Sequence, residues 1–309
     1  MLRHVRVSYF SFKQALNSIG IAKQNKAVKI ILLKNSTFQT CNLFKGYYSL
    51  VKQTKLLFNL KPFIMYSKLL AITPIATNNY VAFTFFVGTM AMLAASVFFF
   101  FEVSNTDKKW RTSVLISGLI TFIAAVHYYY MRDYQLATGE SPTFFRYVDW
   151  LLTVPLMCVE FFLITKKAGA KVSLLWKLIA ASVFMLVTGY IGEGIYPTEK
   201  QSWIWGFISS LGYFYIVYLI WFGEVAKLAQ VAGPAVAKAN RTLAWFVLVG
   251  WAIYPIGYIA GTEGGLFGVR VLEGLSMDII YNIGDAVNKI GFGLVIYVLA
   301  QSDEPKEKA

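Results

Sequence analysis

Two apolar segments of the chain carry charged side chains where a membrane would surround them. The first, FRYVDWLLTVPLMCVEFFL, contains Asp149 and Glu160, and the second, YNIGDAVNKIGFGLVIYVLA, contains Asp285 and Lys289. A charge at bilayer depth is costly and is kept mainly where it serves function, as in a relay that moves protons between such groups. A lysine in an apolar site is also suited to Schiff-base chemistry with an aldehyde.

Helical geometry predicts that the acidic groups of the first segment share one face. Asp149 and Glu160 are 11 residues apart, which is close to three full turns and about 16 Å along a helix axis. Thr153 follows Asp149 by four residues and shares its face. Arg146 precedes Asp149 by one turn, so it can stabilise the charge of Asp149.

The second segment places Asp285 and Lys289 at positions i and i+4, on one face of a helix. A structural ion pair between helices would explain one such pair. Two further carboxyls in another span favour proton transfer instead. Aromatic residues at the same depth are usually helix packing, but around a buried amine they could clamp a long conjugated ligand; they are Trp150, Tyr213, Tyr215, Trp251 and Tyr254, with Pro255.

The composition indicates an integral membrane protein. The chain has 309 residues, of which 57% are hydrophobic and 15% charged, whereas about a quarter of a soluble domain is charged. The net charge of +13 arises in residues 1–64, which hold 11 of the 29 basic residues and no acid, and the remainder has 18 basic against 16 acidic residues. This distribution excludes a nucleic-acid binder. Cys41 and Cys158 indicate neither a disulfide framework nor a metal site.

Residues 1–64 have three interpretations: a targeting segment, a basic arm for anionic lipid, or upstream sequence read from an early start codon. We favour the last, because MYSKLLAITPIATNNYVAF offers a start at Met65. We expect residues 1–64 to lie outside the functional fold. Residues 65–79 would form a short extracellular lead, 80–300 the membrane domain, and 301–309 a charged cytoplasmic tail.

Seven apolar runs have the length of about 20 residues that a spanning helix needs. The fold class predicted from them is an all-α membrane protein, a bundle of seven transmembrane helices. The loops after spans one, three and five hold ten basic residues, and the other side holds four. Because positive charge stays inside, we expect the N-terminus of the bundle outside and the C-terminus in the cytoplasm. The predicted spans are 80–101, 113–131, 144–165, 172–191, 202–222, 242–261 and 277–300.

Three separated motifs, FRYVDWLLTVPLMCVEFFL, GWAIYPIGY and YNIGDAVNKIGFGL, resemble helices three, six and seven of the microbial (type 1) rhodopsins, and among them the proteorhodopsins. The resemblance covers residues 80 to 300. It implies that all-trans retinal is bound to Lys289 as a protonated Schiff base in the core of the bundle. Asp149 would be the counterion and proton acceptor, Asp285 the second counterion, and Glu160 the cytoplasmic proton donor.

The resemblance also implies roles for neighbouring residues. Thr153 falls in the middle of the Asp–Thr–Glu triplet, Arg146 lies beside the acceptor, and His127 matches the histidine that relatives pair with it. Met157 matches the colour-tuning site, where an apolar residue goes with green absorption. The implied retinal pocket comprises Trp150, Met157, Tyr213, Tyr215, Trp251, Tyr254, Pro255, Tyr281 and Asn288.

Gly206 matches a position where relatives with a carotenoid antenna have glycine and others have a bulky aromatic residue. Ordinary close packing is the alternative. With Trp203 and Trp205 beside it, Gly206 could open a window for a hydroxylated carotenoid.

The function implied is that of a light-driven outward proton pump, a transporter and photoreceptor rather than an enzyme. The alternatives are a sensory rhodopsin or a pump for another ion; Asp149, Thr153 and Glu160 fit neither the chloride nor the sodium pattern of the family. A seven-helix protein without retinal would leave Lys289 unexplained. We expect a multi-pass protein of the plasma membrane, in a bacterium the inner membrane, whose partners are the lipid bilayer, protons and copies of itself in a pentamer or hexamer.

Overall fold

The computed structural model describes residues 75–196, 199–255 and 276–302, and the regular structure within these ranges is helical. They belong to one compact unit, Thr73–Ala309. Six of the described helical stretches are long and apolar enough to cross a membrane. The helices are α1 (Tyr80–Asn105), α2 (Arg111–Thr138), α3 (Thr143–Thr165), α4 (Val172–Tyr190), α5 (Glu199–Trp221), α6 (Glu224–Ala232), α7 (Pro234–Trp245) and α8 (Met277–Ser302).

The predicted spans one to five and seven correspond to α1–α5 and α8. The sixth differs at its start, because the helix begins at Pro234 and only later becomes apolar: its first residues, PAVAKANRT, are too polar for a hydropathy signal. The sixth span continues from α7 through a π-helical turn, Phe246–Gly250. The end of this predicted span (256–261) lies outside the described residues, as do the extension 1–64, most of the lead and the tail from 303.

Local signals in the sequence define two helix ends near the site. Asn79 caps α1, since its side-chain oxygen accepts a hydrogen bond from the Ala82 N–H at 2.9 Å. Gly139 ends α2 in the left-handed region with φ of 74°, which glycine adopts without steric cost. Its N–H donates to the Gln135 carbonyl at 2.8 Å. The chain can therefore turn directly into α3.

Helices α3 and α8, which carry the charged groups, run side by side in the same direction. Lys289 consequently lies at the level of Asp149, and Glu160 lies further along both helices. We call the two ends of the bundle the Arg146 end and the Glu160 end. Three contacts in the same order along both helices establish this register: Arg146 with Asp278, Trp150 with Asp285, and Phe161 with Phe292.

Candidate functional site

The side chain of Lys289 lies between two carboxylates from different helices. Its Nζ atom is 3.1 Å from Asp149 Oδ2 on α3 and 3.0 Å from Asp285 Oδ1 on α8. All three side chains are buried. Lys289 is the one buried lysine among the residues whose side chains the structure describes. A buried charge is tolerated when it is paired in this way, so the cluster satisfies the electrostatic requirement of a buried cation.

Asp285 is held as a fixed acceptor. Besides Lys289, it accepts hydrogen bonds from the Tyr128 hydroxyl at 2.7 Å and from Trp150 Nε1 at 3.1 Å. The Tyr254 hydroxyl also donates to it. Donors from α2, α3 and the segment after α7 thus converge on one carboxylate, which favours its ionised form and fixes its position.

Asp149 is bonded differently, although it faces the same lysine. Its Oδ1 atom has no hydrogen-bond partner among the described residues. His127 Nδ1 lies 3.6 Å from that oxygen, beyond hydrogen-bond distance, and is 2.9 Å from the Ile123 carbonyl. The Thr153 hydroxyl donates to the backbone carbonyl of Asp149 at 2.9 Å. Asp149 therefore keeps an oxygen that is open to a proton, whereas Asp285 does not.

The guanidinium of Arg146 is bonded away from Asp149. It donates to Asp278 Oδ1 at 2.8 Å and to Asn282 Oδ1 at 3.1 Å, both on α8. The sequence predicts Arg146 beside Asp149 because the two are one turn apart. The structure keeps them on one helix but gives Arg146 partners nearer the Arg146 end.

Glu160 is isolated from other charges of the site. It is completely buried, and neither carboxyl oxygen has a hydrogen-bond partner among the described residues. The Ser113 hydroxyl on α2 is the polar group that approaches it, although not in hydrogen-bond geometry. An ion without such partners costs several kcal/mol in an apolar interior, so we expect the carboxyl to be neutral. A neutral buried carboxyl carries a proton that it can donate when a stronger base forms nearby.

A cavity of about 310 Å³ adjoins the Lys289 cluster, within the range of roughly 300–1,000 Å³ typical of ligand pockets. Trp150 and Tyr254 both line it and bond Asp285, so they connect it to Lys289. Its walls are mainly apolar and aromatic, as a long conjugated ligand requires. Six residues of the predicted pocket line it: Trp150, Tyr213, Trp251, Tyr254, Pro255 and Tyr281.

Tyr215 requires a correction. It is 42% exposed on the outer side of α5, whereas Tyr213 is buried and donates to the Leu248 carbonyl at 2.8 Å. Two residues along a helix correspond to about 200° of rotation, so both rings cannot face the core. The same geometry separates Trp203, which lines the cavity, from Trp205, which does not.

Two other predicted pocket residues are buried but do not line this cavity. Met157 lies one turn after Val154, which does line it. The Asn288 amide donates to the Gly250 carbonyl at 3.0 Å, in the π-helical turn. Their roles toward a ligand stay predictions.

The sequence analysis missed three residues that the structure brings to the site: Tyr128, Asp278 and Glu193. Asp278 precedes Asp285 by seven residues, so helical spacing alone could have placed it on the same face. Tyr128 and Glu193 had no such signal. Glu193 lines the cavity and accepts a hydrogen bond from the Tyr147 hydroxyl at 2.7 Å.

Comparison with known proteins agrees with this architecture. Residues 79–302 match the family model of bacteriorhodopsin-like proteins. The chain is 45% identical over 228 residues to the green-light absorbing proteorhodopsin of gamma-proteobacterium EBAC31A08, covering 72% of this chain and 87% of that one. The chain therefore belongs to the bacteriorhodopsin-like family of light-driven, multi-pass membrane proteins.

Solved structures give the same result. The crystal structure of the blue light-absorbing proteorhodopsin from Med12 is 40% identical and superposes with a TM-score of 0.61, over 73% of this chain and all of that one. Xanthorhodopsin, described as a light-driven ion pump with dual chromophore, is 30% identical with a TM-score of 0.63, over 72% of this chain and 92% of that one. These similarities support a bundle of seven helices.

Proposed function

We propose that the protein is a light-driven outward proton pump in which retinal is bound to Lys289 as a protonated Schiff base. The observation that carries the proposal is the unequal bonding of the groups around Lys289. Asp285 is saturated with donors, Asp149 has an open oxygen, and Glu160 is buried without partners toward the opposite end. A one-way proton path needs such a fixed counter-charge, an acceptor and a separate donor.

The residues around Lys289 and in the adjacent cavity have the chemistry that retinal requires. Lys289 supplies the amine, and its two carboxylates supply the negative charge that a cationic linkage needs. Trp150, Trp251 and Tyr213 would hold the polyene in the adjacent cavity. Retinal, when bound, absorbs light and changes shape, which alters the surroundings of the proton on the Lys289 nitrogen.

The side chains of this chain would then move the proton in one direction. Asp149 accepts it from the Lys289 nitrogen, because its Oδ1 atom has unused acceptor capacity. Asp285 stays ionised and keeps the local charge balanced. Glu160 returns a proton to the nitrogen from the other side, where the Phe161 and Phe292 rings pack edge to face and limit the access of water.

The direction follows from the expected orientation. Basic loops would hold the Glu160 end in the cytoplasm, so the proton accepted by Asp149 would leave outside. Carboxyls at positions 149 and 160 favour protons over chloride or sodium as the transported ion.

The test is the pH of an unbuffered suspension of cells that express the chain and are supplied with retinal. Illumination should acidify the medium, and a protonophore should abolish the signal. Alkalinisation, or a signal that requires chloride or sodium, would contradict proton pumping. A coloured protein that produces no pH change and has a slow photocycle would favour a sensory role.

We also propose that a hydroxylated carotenoid can bind at Gly206 and pass excitation to retinal. The observation that favours this is the course of the cavity, which reaches Gly206 on α5. The cavity there is bordered by the side chains of Trp203 and Phe207, which are 36% and 68% exposed to the exterior of the bundle. A polyene could lie along this border with its end beside the cavity. Added carotenoid should acquire sharper absorption bands and contribute to the action spectrum of pumping.

We further propose that the protein works in the plasma membrane as a pentamer or hexamer. The His127 side chain is 23% exposed although it approaches the buried Asp149, so a neighbouring copy could contact it. Native mass spectrometry in detergent measures the number of copies, and a monomer at all detergent concentrations would contradict this proposal.

A further inference from the structure

The Arg146 end of the bundle contains an ion pair that the proton path described above does not use. Arg146 is 1% exposed, and its Nη2 atom donates to Asp278 Oδ1 at 2.8 Å. The Ser141 hydroxyl donates to the same oxygen at 2.7 Å. Asn282 accepts from Nη1 at 3.1 Å. Asp278 is thus the centre of a network that holds the guanidinium at the first turns of α8.

Two polar atoms between this network and Lys289 lack hydrogen-bond partners among the described residues. One is a donor, Arg146 Nε, and the other is an acceptor, Asp149 Oδ1. They belong to residues one turn apart on the same face of α3. Buried donors and acceptors are normally satisfied, and side chains one turn apart on a helix are near enough to interact, so Asp149 is a partner that the guanidinium could take if it lost its bonds to α8.

We propose that Asp278 is a positioning residue that sets how readily Asp149 takes up a proton, by anchoring Arg146 toward the Arg146 end. An opposite charge close to a carboxylate stabilises its ionised form. Because Asp278 holds the guanidinium away, Asp149 is stabilised less by Arg146 than helix spacing alone would allow. The inference rests on the proposed role of Asp149 as counterion and acceptor, and it adds the residue that tunes it.

Other charged and titratable groups also act on the carboxylates of Asp149 and Asp278. They come from α2, α3, α8, the segment after α7 and the π-helical turn Ile191–Ile195 after α4, and Asp278→Asn leaves their identities unchanged. Those near Asp149 are Lys289, Asp285, His127 and Tyr254; those near Asp278 are Arg146 and Glu193.

The experiment is a pH titration of the colour of the retinal-loaded full-length protein. Protonation of the counterion changes the absorption, so the midpoint of the change reports the proton affinity of Asp149. Asp278→Asn removes the anchor and keeps the shape of the side chain. We expect its midpoint to move to lower pH by about one unit or more, the usual effect of an opposite charge brought near, which is a tenfold or greater change in proton affinity.

Two further variants separate anchoring from loss of charge. Asp133→Asn is the matched control, because Asp133 is a carboxylate at the same end that pairs with Arg132 at 2.8 Å and does not contact Arg146. It should shift the midpoint much less than Asp278→Asn. Asn282→Ala loosens Arg146 without changing any charge, and it should shift the midpoint in the same direction as Asp278→Asn. This variant also tests the proposal if Asp278→Asn does not fold.

The double variant Arg146→Gln/Asp278→Asn completes the cycle. Without the guanidinium there is nothing for Asp278 to anchor, so the midpoint of the double variant should be close to that of Arg146→Gln alone. Equal shifts for Asp278→Asn and Asp133→Asn, or an undiminished shift in the Arg146→Gln background, would overturn the anchoring role. These results would leave the counterion role of Asp149 intact. A wild-type colour that does not change with pH would instead contradict the proposed function itself.

Discussion

Replacing Glu160 with glutamine tests the proton donor with little structural disturbance. The two side chains have the same shape, and Glu160 has no hydrogen bond to lose among the described residues. Burying an unbonded amide costs about 1–3 kcal/mol, but the neutral carboxyl that it replaces is also unbonded. We therefore expect folding and retinal binding to be close to those of the wild type.

The kinetic effect should be large. A positioned acid typically contributes a factor of about 10²–10⁴ to a proton transfer. Glutamine cannot donate the proton, so reprotonation of the Lys289 nitrogen should slow at least about 100-fold, equivalent to about 2.7 kcal/mol in the barrier. The earlier transfer to Asp149 should keep its rate, because that carboxylate lies on the other side of Lys289.

Flash photolysis of the purified pigment measures both steps. Formation of the deprotonated species should be unchanged in Glu160→Gln, and its decay should be slow and should accelerate when azide or another small acid is added. Glu102→Gln is the matched control, since Glu102 is a partly exposed carboxyl near the same end of the bundle. A decay in Glu160→Gln that matches the wild type would mean that Glu160 is not the donor.

The same variant tests whether Glu160 is neutral at rest. Asp149 and Glu160 are about 16 Å apart along α3. Removing a full charge at that distance would change the energy of Asp149 by about 1 kcal/mol at an effective dielectric constant of about 20. This would move the midpoint of the colour titration by about 0.8 pH units. If Glu160 is neutral, the midpoint of the colour titration should not move in Glu160→Gln. A shift of about 0.8 pH units would show that Glu160 is charged at rest and would refute the reasoning from its burial.

Three further variants test the remaining roles. Lys289→Ala should give a colourless protein with added retinal, because no second buried lysine is present among the side chains that the structure describes; a pigment of normal colour would exclude Lys289 as the anchor. Asp149→Asn should abolish pumping and shift absorption to longer wavelength, because the cation loses a counter-charge at 3.1 Å, and the wild type should show the same colour change in acid; an absorption spectrum indifferent to both would contradict the counterion role. Gly206→Trp should abolish carotenoid band sharpening and energy transfer while retinal-driven pumping continues, whereas transfer that persists would show that Gly206 is only a packing residue.

The sequence alone determined the membrane class, the course of most helices and four of the charged residues at the site, which are Asp149, Glu160, Asp285 and Lys289. These properties depend on interactions that are local in the chain. Apolar length defines a span, and helical periodicity places Asp149 with Glu160 and Asp285 with Lys289 on common faces. The start of the sixth span escaped this reasoning, because the first turns of α7 are polar and carry no hydropathy signal.

Only the tertiary structure decided which of these faces meet and how each group is bonded. Periodicity gives a direction around one helix, but it does not say which neighbouring side chain lies there. Tyr213 faces the cavity and Tyr215 the exterior because α5 is rotated that way against α4 and α7. Arg146 pairs with Asp278 rather than with Asp149 because the parallel register of α3 and α8 brings those two charges within 2.8 Å, a distance that depends on the packing of two helices more than a hundred residues apart in the chain.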